Sequence, residues 1–128
     1  MHQQPKDSIL SQIFIELYSY RPAWIALQPD ERARFSDGVQ AALVELTSNG
    51  VEVIGWGFND LEADRRAPYD FFCIYRVPSF EFQRAFDDAV AASGWHDFFE
   101  QHSVSGALAA PAEILAANVA LRRPEPHA

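Results

Sequence analysis

Apolar positions recur along this chain with two periods, and the order of those periods predicts its fold. Period-two runs typical of strands and runs with the helical period follow one another as strand, helix, strand, strand, helix, strand. The strand-like runs span residues 13–18, 51–58, 69–77 and 98–108, and the helix-like runs span 32–47 and 80–92. This β-α-β-β-α-β order predicts an α+β, ferredoxin-like domain, in which a four-stranded antiparallel sheet carries two helices on one face. A short extra C-terminal helix is predicted over residues 112–118.

The first strand has two faces of different character. Its alternate positions form an aliphatic set, Ile13, Ile15 and Leu17, and a set of rings with one carboxylate, Phe14, Glu16 and Tyr18. Two helices cover only one side of such a sheet, so the other side needs a partner. We expect the face with the rings and the carboxylate to be the uncovered one, and a second copy of the chain to seal it.

The boundaries of the domain follow from composition. Residues 1–9 form a polar lead-in, residues 10–121 a single domain, and residues 122–128 a flexible tail with two prolines. The lead-in lacks the apolar core of a signal peptide, and no apolar stretch has the length of a membrane span. We therefore expect a cytoplasmic protein.

Charge and cysteine usage exclude several functional classes. The net charge of −8 makes nucleic acid a poor partner, since phosphate backbones attract basic surfaces. The lone Cys73 excludes an internal disulfide and a multi-cysteine metal site, and its place inside an apolar run favours a buried, inert thiol. No phosphate-binding glycine loop and no nucleophile-elbow serine occur, so we expect no metal and no cofactor.

Four segments carry a resemblance to a known group of proteins. They are FIELY at 14–18, WIAL at 24–27, YDFF at 69–72 and SGWHDFFE at 93–100. With the element order, they resemble the dimeric α/β-barrel superfamily over residues 10–121. More narrowly, they resemble an uncharacterised bacterial family similar to the small antibiotic-biosynthesis monooxygenase-like proteins. The resemblance implies a homodimer, a dimeric α/β barrel in which two sheets pair face to face around a cavity.

Members of that superfamily differ in function, so the fold alone assigns no activity. They include cofactor-free monooxygenases, muconolactone isomerases, stress-responsive barrel proteins and haem-binding relatives. None of their catalytic motifs aligns with this chain residue by residue, and no catalytic residue is carried over from them.

Glu16 is the first catalytic candidate. A carboxylate in the middle of an apolar strand is costly to bury unless it is paired or wetted, and burial would raise its pKa toward that of a general base. The alternative is a salt bridge or a rim position at the dimer interface. His102 is the second catalytic candidate, and Tyr18 is a candidate for binding the substrate.

Five further residues are candidates for contact with a substrate: Trp56, Tyr75, His96, Phe98 and Glu100. If residues 95–104 form one strand, His96, Phe98, Glu100 and His102 share a face, which suits acid–base work more than any named metal motif. Structural roles, core packing for Trp56 and haem ligation by His96 or His102 are the alternatives.

Two hypotheses about function follow. In the first, a homodimeric barrel binds a small apolar or aromatic molecule and acts as a cofactor-independent monooxygenase or isomerase, with Glu16 as the base. In the second, the barrel is not an enzyme: its interior is filled by its own side chains, and it has a ligand-binding or stress and stability role. A cavity that reaches an unpaired Glu16 would favour the first hypothesis.

Overall fold

A computed structural model describes residues 12–122 of the chain, which form four strands and five helices. The predicted lead-in at 1–9 and all but the first residue of the predicted tail at 122–128 lie outside the described residues. The strands are β1 (Gln12–Tyr20), β2 (Glu52–Phe58), β3 (Phe71–Val77) and β4 (Phe99–Gly106). The helices are α1 (Pro22–Ala26), α2 (Pro29–Ser48), α3 (Phe80–Ala92), α4 (Trp95–Phe98) and α5 (Pro111–Val119).

The strands form one antiparallel sheet in the order β2-β3-β1-β4. The first and third strands are central, and the connections from β1 to β2 and from β3 to β4 cross over through α2 and α3. The predicted ferredoxin-like α+β class is therefore confirmed. The long helices agree with their sequence signals: α2 has Pro29 in its first turn, and the Ser79 hydroxyl accepts a hydrogen bond from the Phe82 amide at 3.1 Å to cap α3.

The helices cover the opposite face of the sheet from the one that the sequence predicts. The helices cover the face that carries Phe14, Glu16 and Tyr18, and these three side chains are at most 2% exposed. The aliphatic face remains open, and its side chains on β1 and β3 are half-buried. The prediction that the ring-and-carboxylate face is uncovered was wrong. Large rings fill the space between a sheet and its helices better than short aliphatic side chains do, and they bury more apolar area there.

We call this uncovered side the open face. It is defined by six apolar residues: Ile13, Ile15, Leu17, Phe72, Ile74 and Val104.

The helices α2 and α3 rest on the covered face very differently. Phe86 of α3 is 3% exposed and packs edge-on against Phe14, with ring centroids 5.5 Å apart. No residue of α2 is buried, although the helix has 20 residues. Its apolar stripe, formed by Phe35, Val39, Leu43 and Leu46, packs against the core but stays only partly buried.

Strand β2 contains a bulge that changes which residues face the helices. The pairing with β3 shifts between Val53 and Gly55, so that both Val53 and Trp56 lie opposite residues of the covered face. Strict alternation would have placed these two residues on opposite faces. One extra residue in a strand has this effect because the side-chain period is two.

Several local elements differ from the sequence-based expectation. Residues 95–98 form a helical turn, α4, and β4 begins only at Phe99. His96 therefore does not share a strand face with Glu100 and His102. The short helix α1, which begins at Pro22, was not predicted from the sequence. No helix within residues 12–122 is both long and apolar enough to cross a membrane.

Candidate functional site

A cavity of about 550 Å³ lies between α2, α3 and the covered face of the sheet. We call it the Glu16 cavity. Glu16, Tyr18 and Tyr75 form its floor, whereas Val39 and Leu43 of the α2 stripe line its wall. The volume falls within the range of pockets that hold small ligands. It exists because α2 is held away from the sheet.

Glu16 is a buried carboxylate with no cationic partner among residues 12–122. It is 2% exposed, and no ion pair within residues 12–122 includes it. The Gln101 side-chain amide donates to it, with 3.2 Å between Nε2 and Oε2. Gln101 reaches it from β4, where it lies diagonally across from Glu16 on the same face. The salt bridge considered as the alternative role of Glu16 is therefore not formed among the described residues.

Burial dominates the protonation of Glu16. Desolvation raises its pKa from 4.5 to about 7, and the negative charge of Asp87 on α3 adds to the increase. Hydrogen bonds from Tyr18 and Gln101 favour the ionised form and partly offset both effects. A carboxyl group with such a pKa is present in both protonation states near neutral pH, as a general base or acid requires.

The other ionisable groups on the floor of the cavity remain neutral. Burial, reinforced by the charge of Glu16, raises the pKa of the hydroxyl groups of Tyr18 and Tyr75. The same two effects raise the pKa of the Cys73 thiol, which is completely buried. Cys73 is therefore an inert thiol, as the sequence predicts, and the two tyrosines present neutral hydroxyl groups.

Gln101 is oriented by a second polar contact. Its Oε1 lies 2.7 Å from Nε2 of His96 on α4, and its Nε2 also donates to the Ser103 hydroxyl at 2.9 Å. Because the amide oxygen is an acceptor only, His96 must donate through Nε2. His96 thus fixes the amide in the orientation that points a donor at Glu16.

A second cavity of about 670 Å³ lies on the other side of α2, next to β2. Trp56 and Trp95 line both cavities. The indole Nε1 of Trp95 is buried and has no acceptor among the described residues. A buried donor without a partner costs about 1–3 kcal/mol.

The structure brings together four of the predicted site residues. Glu16, Tyr18, Trp56 and Tyr75 all line the Glu16 cavity. Glu16, Tyr18 and Tyr75 lie at covered-face positions of β1 and β3. The bulge in β2 places Trp56 on the same face as Val53, which is also the covered face.

The remaining predicted site residues lie elsewhere. Glu100 and His102 project from the open face of β4, where the His102 ring lies 5.5 Å from that of Tyr69. Phe98 packs in α4 against Trp24 and Phe35, with ring centroids 5.5 and 5.0 Å away. His96 is exposed at the edge of the sheet and meets the cavity only through Gln101.

Three residues that contribute to the site were missed. Gln101 donates to Glu16, Trp95 lines its cavity, and the charge of Asp87 raises its pKa. None of the three stands out in the sequence. Gln101 could have been found from the register of β4 against β1, because Tyr18 pairs with it directly. That register depends on where β4 begins, which the sequence does not mark.

Within residues 12–122, no group of three or more His, Cys, Asp or Glu side chains is placed to hold a metal ion.

Comparison with known proteins identifies the family. No curated protein matches the chain, and no solved structure matches it. The model of the Family of unknown function (DUF6616) matches residues 11–121, nearly the whole chain, and the protein therefore belongs to that family.

Proposed function

We propose that this protein binds a small apolar or aromatic molecule in the Glu16 cavity and that Glu16 acts on it as a general base. One observation carries the proposal. A buried carboxyl group with no cationic partner among the described residues, and with a pKa of about 7, lines a cavity of about 550 Å³. Retaining such a group is costly for stability, and perturbed carboxyl groups in cavities are typical of functional sites.

The chemistry that fits this arrangement is proton removal from carbon next to a carbonyl group. The Glu16 carboxylate takes the proton, and the electron pair of the C–H bond moves to the carbonyl oxygen to form an enolate. The neutral hydroxyl group of Tyr75 can donate to that oxygen, whereas the hydroxyl group of Tyr18 donates to Glu16. Apolar rings around the cavity select an apolar or aromatic substrate.

The enolate can react onward in two ways without a cofactor. Return of the proton from Glu16 to a different carbon of the conjugated system gives an isomerase. Reaction with dioxygen gives a monooxygenase: a CH₂ group becomes C=O, one oxygen atom enters the product and the other leaves as water. Both outcomes agree with the resemblance to the dimeric α/β-barrel superfamily and need only Glu16 as the base.

We also propose that the protein is a homodimer whose two sheets pack together through their open faces. The open face carries the six apolar side chains named above, and apolar sheet faces are normally covered. Unlike the first interpretation of the sequence, this places Glu16 within one chain rather than between two. The cavity is lined by a single copy, so its chemistry does not depend on the dimer.

The experiment uses 2-tetralone, an aromatic ketone with acidic hydrogens beside its carbonyl group. Binding is followed by quenching of tryptophan fluorescence, since Trp56 and Trp95 line the cavity. Exchange of the acidic hydrogens in D₂O is followed by mass spectrometry. We expect the protein to bind the ketone and to accelerate exchange at least tenfold over buffer, whereas the variant Glu16→Gln binds it without accelerating exchange.

The two hypotheses give different results in this experiment. Binding with equal exchange in the wild type and in Glu16→Gln would exclude the base and support the non-enzymatic alternative, a ligand-binding protein. Absence of binding, together with a structure in which side chains fill the cavity, would reject the proposal and favour the stability role. The variant His102→Gln is the control: its side chain lies on the open face, so exchange should continue at the wild-type rate.

A further inference from the structure

Helix α5 is apolar but buries no residue within the part of the chain that the structure describes. Its nine residues, Pro111–Val119, are all exposed. Leu115 is 64% exposed and Val119 is 87% exposed, and Leu121 just beyond the helix is 80% exposed. The helix has one charged residue, Glu113, in its first turn. The exposure of its apolar side chains distinguishes α5 from α3, whose apolar side packs against the sheet.

A helix of this length does not persist in water by itself. Nucleation is unfavourable, and isolated helices shorter than about 12 residues are marginal even with favourable sequences. Most helix stability in proteins comes from packing of an apolar side. Because α5 buries no residue against residues 12–122, a contact with another molecule would supply the packing that it lacks.

The size of the open face indicates which molecule that is. Four strands spaced about 4.8 Å apart, with about eight residues each rising about 3.3 Å, give a face of roughly 500 Å². A stable interface buries about 800 Å² on each partner. The open face alone is therefore too small for the proposed dimer, and α5 follows β4, the strand at one edge of that face.

We propose that α5 packs on the second copy of the chain and extends the interface formed by the two open faces. This inference rests on the homodimer proposed above. Two symmetry-related helices enlarge the interface without adding much like charge, since each brings only Glu113 in a protein of net charge −8.

The test measures dimer dissociation of the full chain by sedimentation equilibrium. In the double variant Leu115→Gln, Val119→Gln, the changed residues lie one helical turn apart and share a side of α5. Glutamine preserves helix propensity, so the change removes apolar contact rather than the helix. Because each dimer loses four apolar side chains, we expect the dissociation constant to rise at least a hundredfold.

The control is Val44→Gln on the outer side of α2, a residue as exposed in the single chain as Leu115, at 68%. It should leave dissociation unchanged. The single variant Leu121→Gln should shift it in the same direction as the double variant, by a smaller factor. A double variant that dissociates like the wild type would overturn the inference while leaving the dimer intact.

A wild-type protein that is monomeric at micromolar concentration would overturn both the dimer and the α5 contact. It would not affect the proposed base, because the Glu16 cavity is lined by one chain. Hydrogen exchange of 2-tetralone, measured on the same samples, therefore separates failure of this inference from failure of the proposed catalysis.

Discussion

The helices α2 and α3 cover the same face of the same sheet, yet only α3 is tightly packed. In α3, Phe86 and Gln83 are buried, and the shorter helix lies against β3 and β4. In α2, a longer apolar stripe is only half-buried and cavities lie on both sides of the helix. An amphipathic pattern therefore determines which side of a helix turns inward, but not how closely the helix approaches. The difference between the two helices is the space in which Glu16 lies.

The largest expected effect is a difference in stability between matched truncations on the two helices. Phe86→Ala should lower the free energy of unfolding by about 3–5 kcal/mol, because the ring is buried between α3 and the sheet. Phe35→Ala on α2 should lower it by about 1–2 kcal/mol, because the Phe35 ring is only partly buried. Urea denaturation of both variants measures the two values. Equal losses would mean that α2 is packed as closely as α3.

A second effect concerns the carboxyl group of Glu16 in the cavity between α2, α3 and the sheet. Folding raises the pKa of Glu16 from 4.5 to about 7, so the folded state holds this proton more tightly than the unfolded state. The resulting stabilisation is complete below pH 4.5 and is lost as the pH rises through 7. At about 1.4 kcal/mol per pKa unit, Glu16→Gln should be more stable than the wild type by up to about 3 kcal/mol at pH 8.

The pH dependence of that difference is the control. The two proteins should be equally stable near pH 4.5 and should diverge above it, as denaturation at a series of pH values would reveal. A constant difference across this range would show that Glu16 is not desolvated and that the gap is filled with water.

The smallest expected effect comes from replacing valine by phenylalanine at two positions. Val39→Phe adds a ring beside both cavities and should change stability by less than about 1 kcal/mol, while weakening 2-tetralone binding at least tenfold. Val77→Phe, at a completely buried position of β3, should cost about 1–3 kcal/mol through overpacking. Thermal unfolding and fluorescence titration measure the two effects. If Val39→Phe destabilised as strongly as Val77→Phe, the space around α2 would not be available to a ligand.

The sequence predicts the fold well because its signals are local. Period-two runs, Pro29 and Ser79 locate the long elements to within a few residues, and their order leaves one common topology. The helical turn at 95–98 was missed because Phe98 and Phe99 continue an apolar run that also suits a strand. The tertiary aromatic contacts of Phe98 with Trp24 and Phe35 favour the turn, and no local pattern reveals them.

The site was predicted only in part, for a similar reason. Glu16 and Tyr18 stand out because a carboxylate in an apolar strand is unusual wherever it occurs. Which face the helices cover depends on the volumes of side chains from three strands together, so the alternation within β1 could not decide it. Gln101 and Asp87 act on Glu16 across strand and helix boundaries, and their importance arises only from the assembled structure.

The bulge in β2 has a consequence for how this family can vary. Val53 and Trp56 both lie on the covered face only because the pairing with β3 shifts between Val53 and Gly55. Loss of the single codon for Ile54 would remove the extra residue and restore strict alternation, with Val53 and Trp56 still opposite Tyr75 and Cys73. A one-residue deletion beyond the bulge would instead reverse the faces of the side chains that follow it. The bulge is therefore the point at which β2 can shorten by one residue without changing the wall of either cavity.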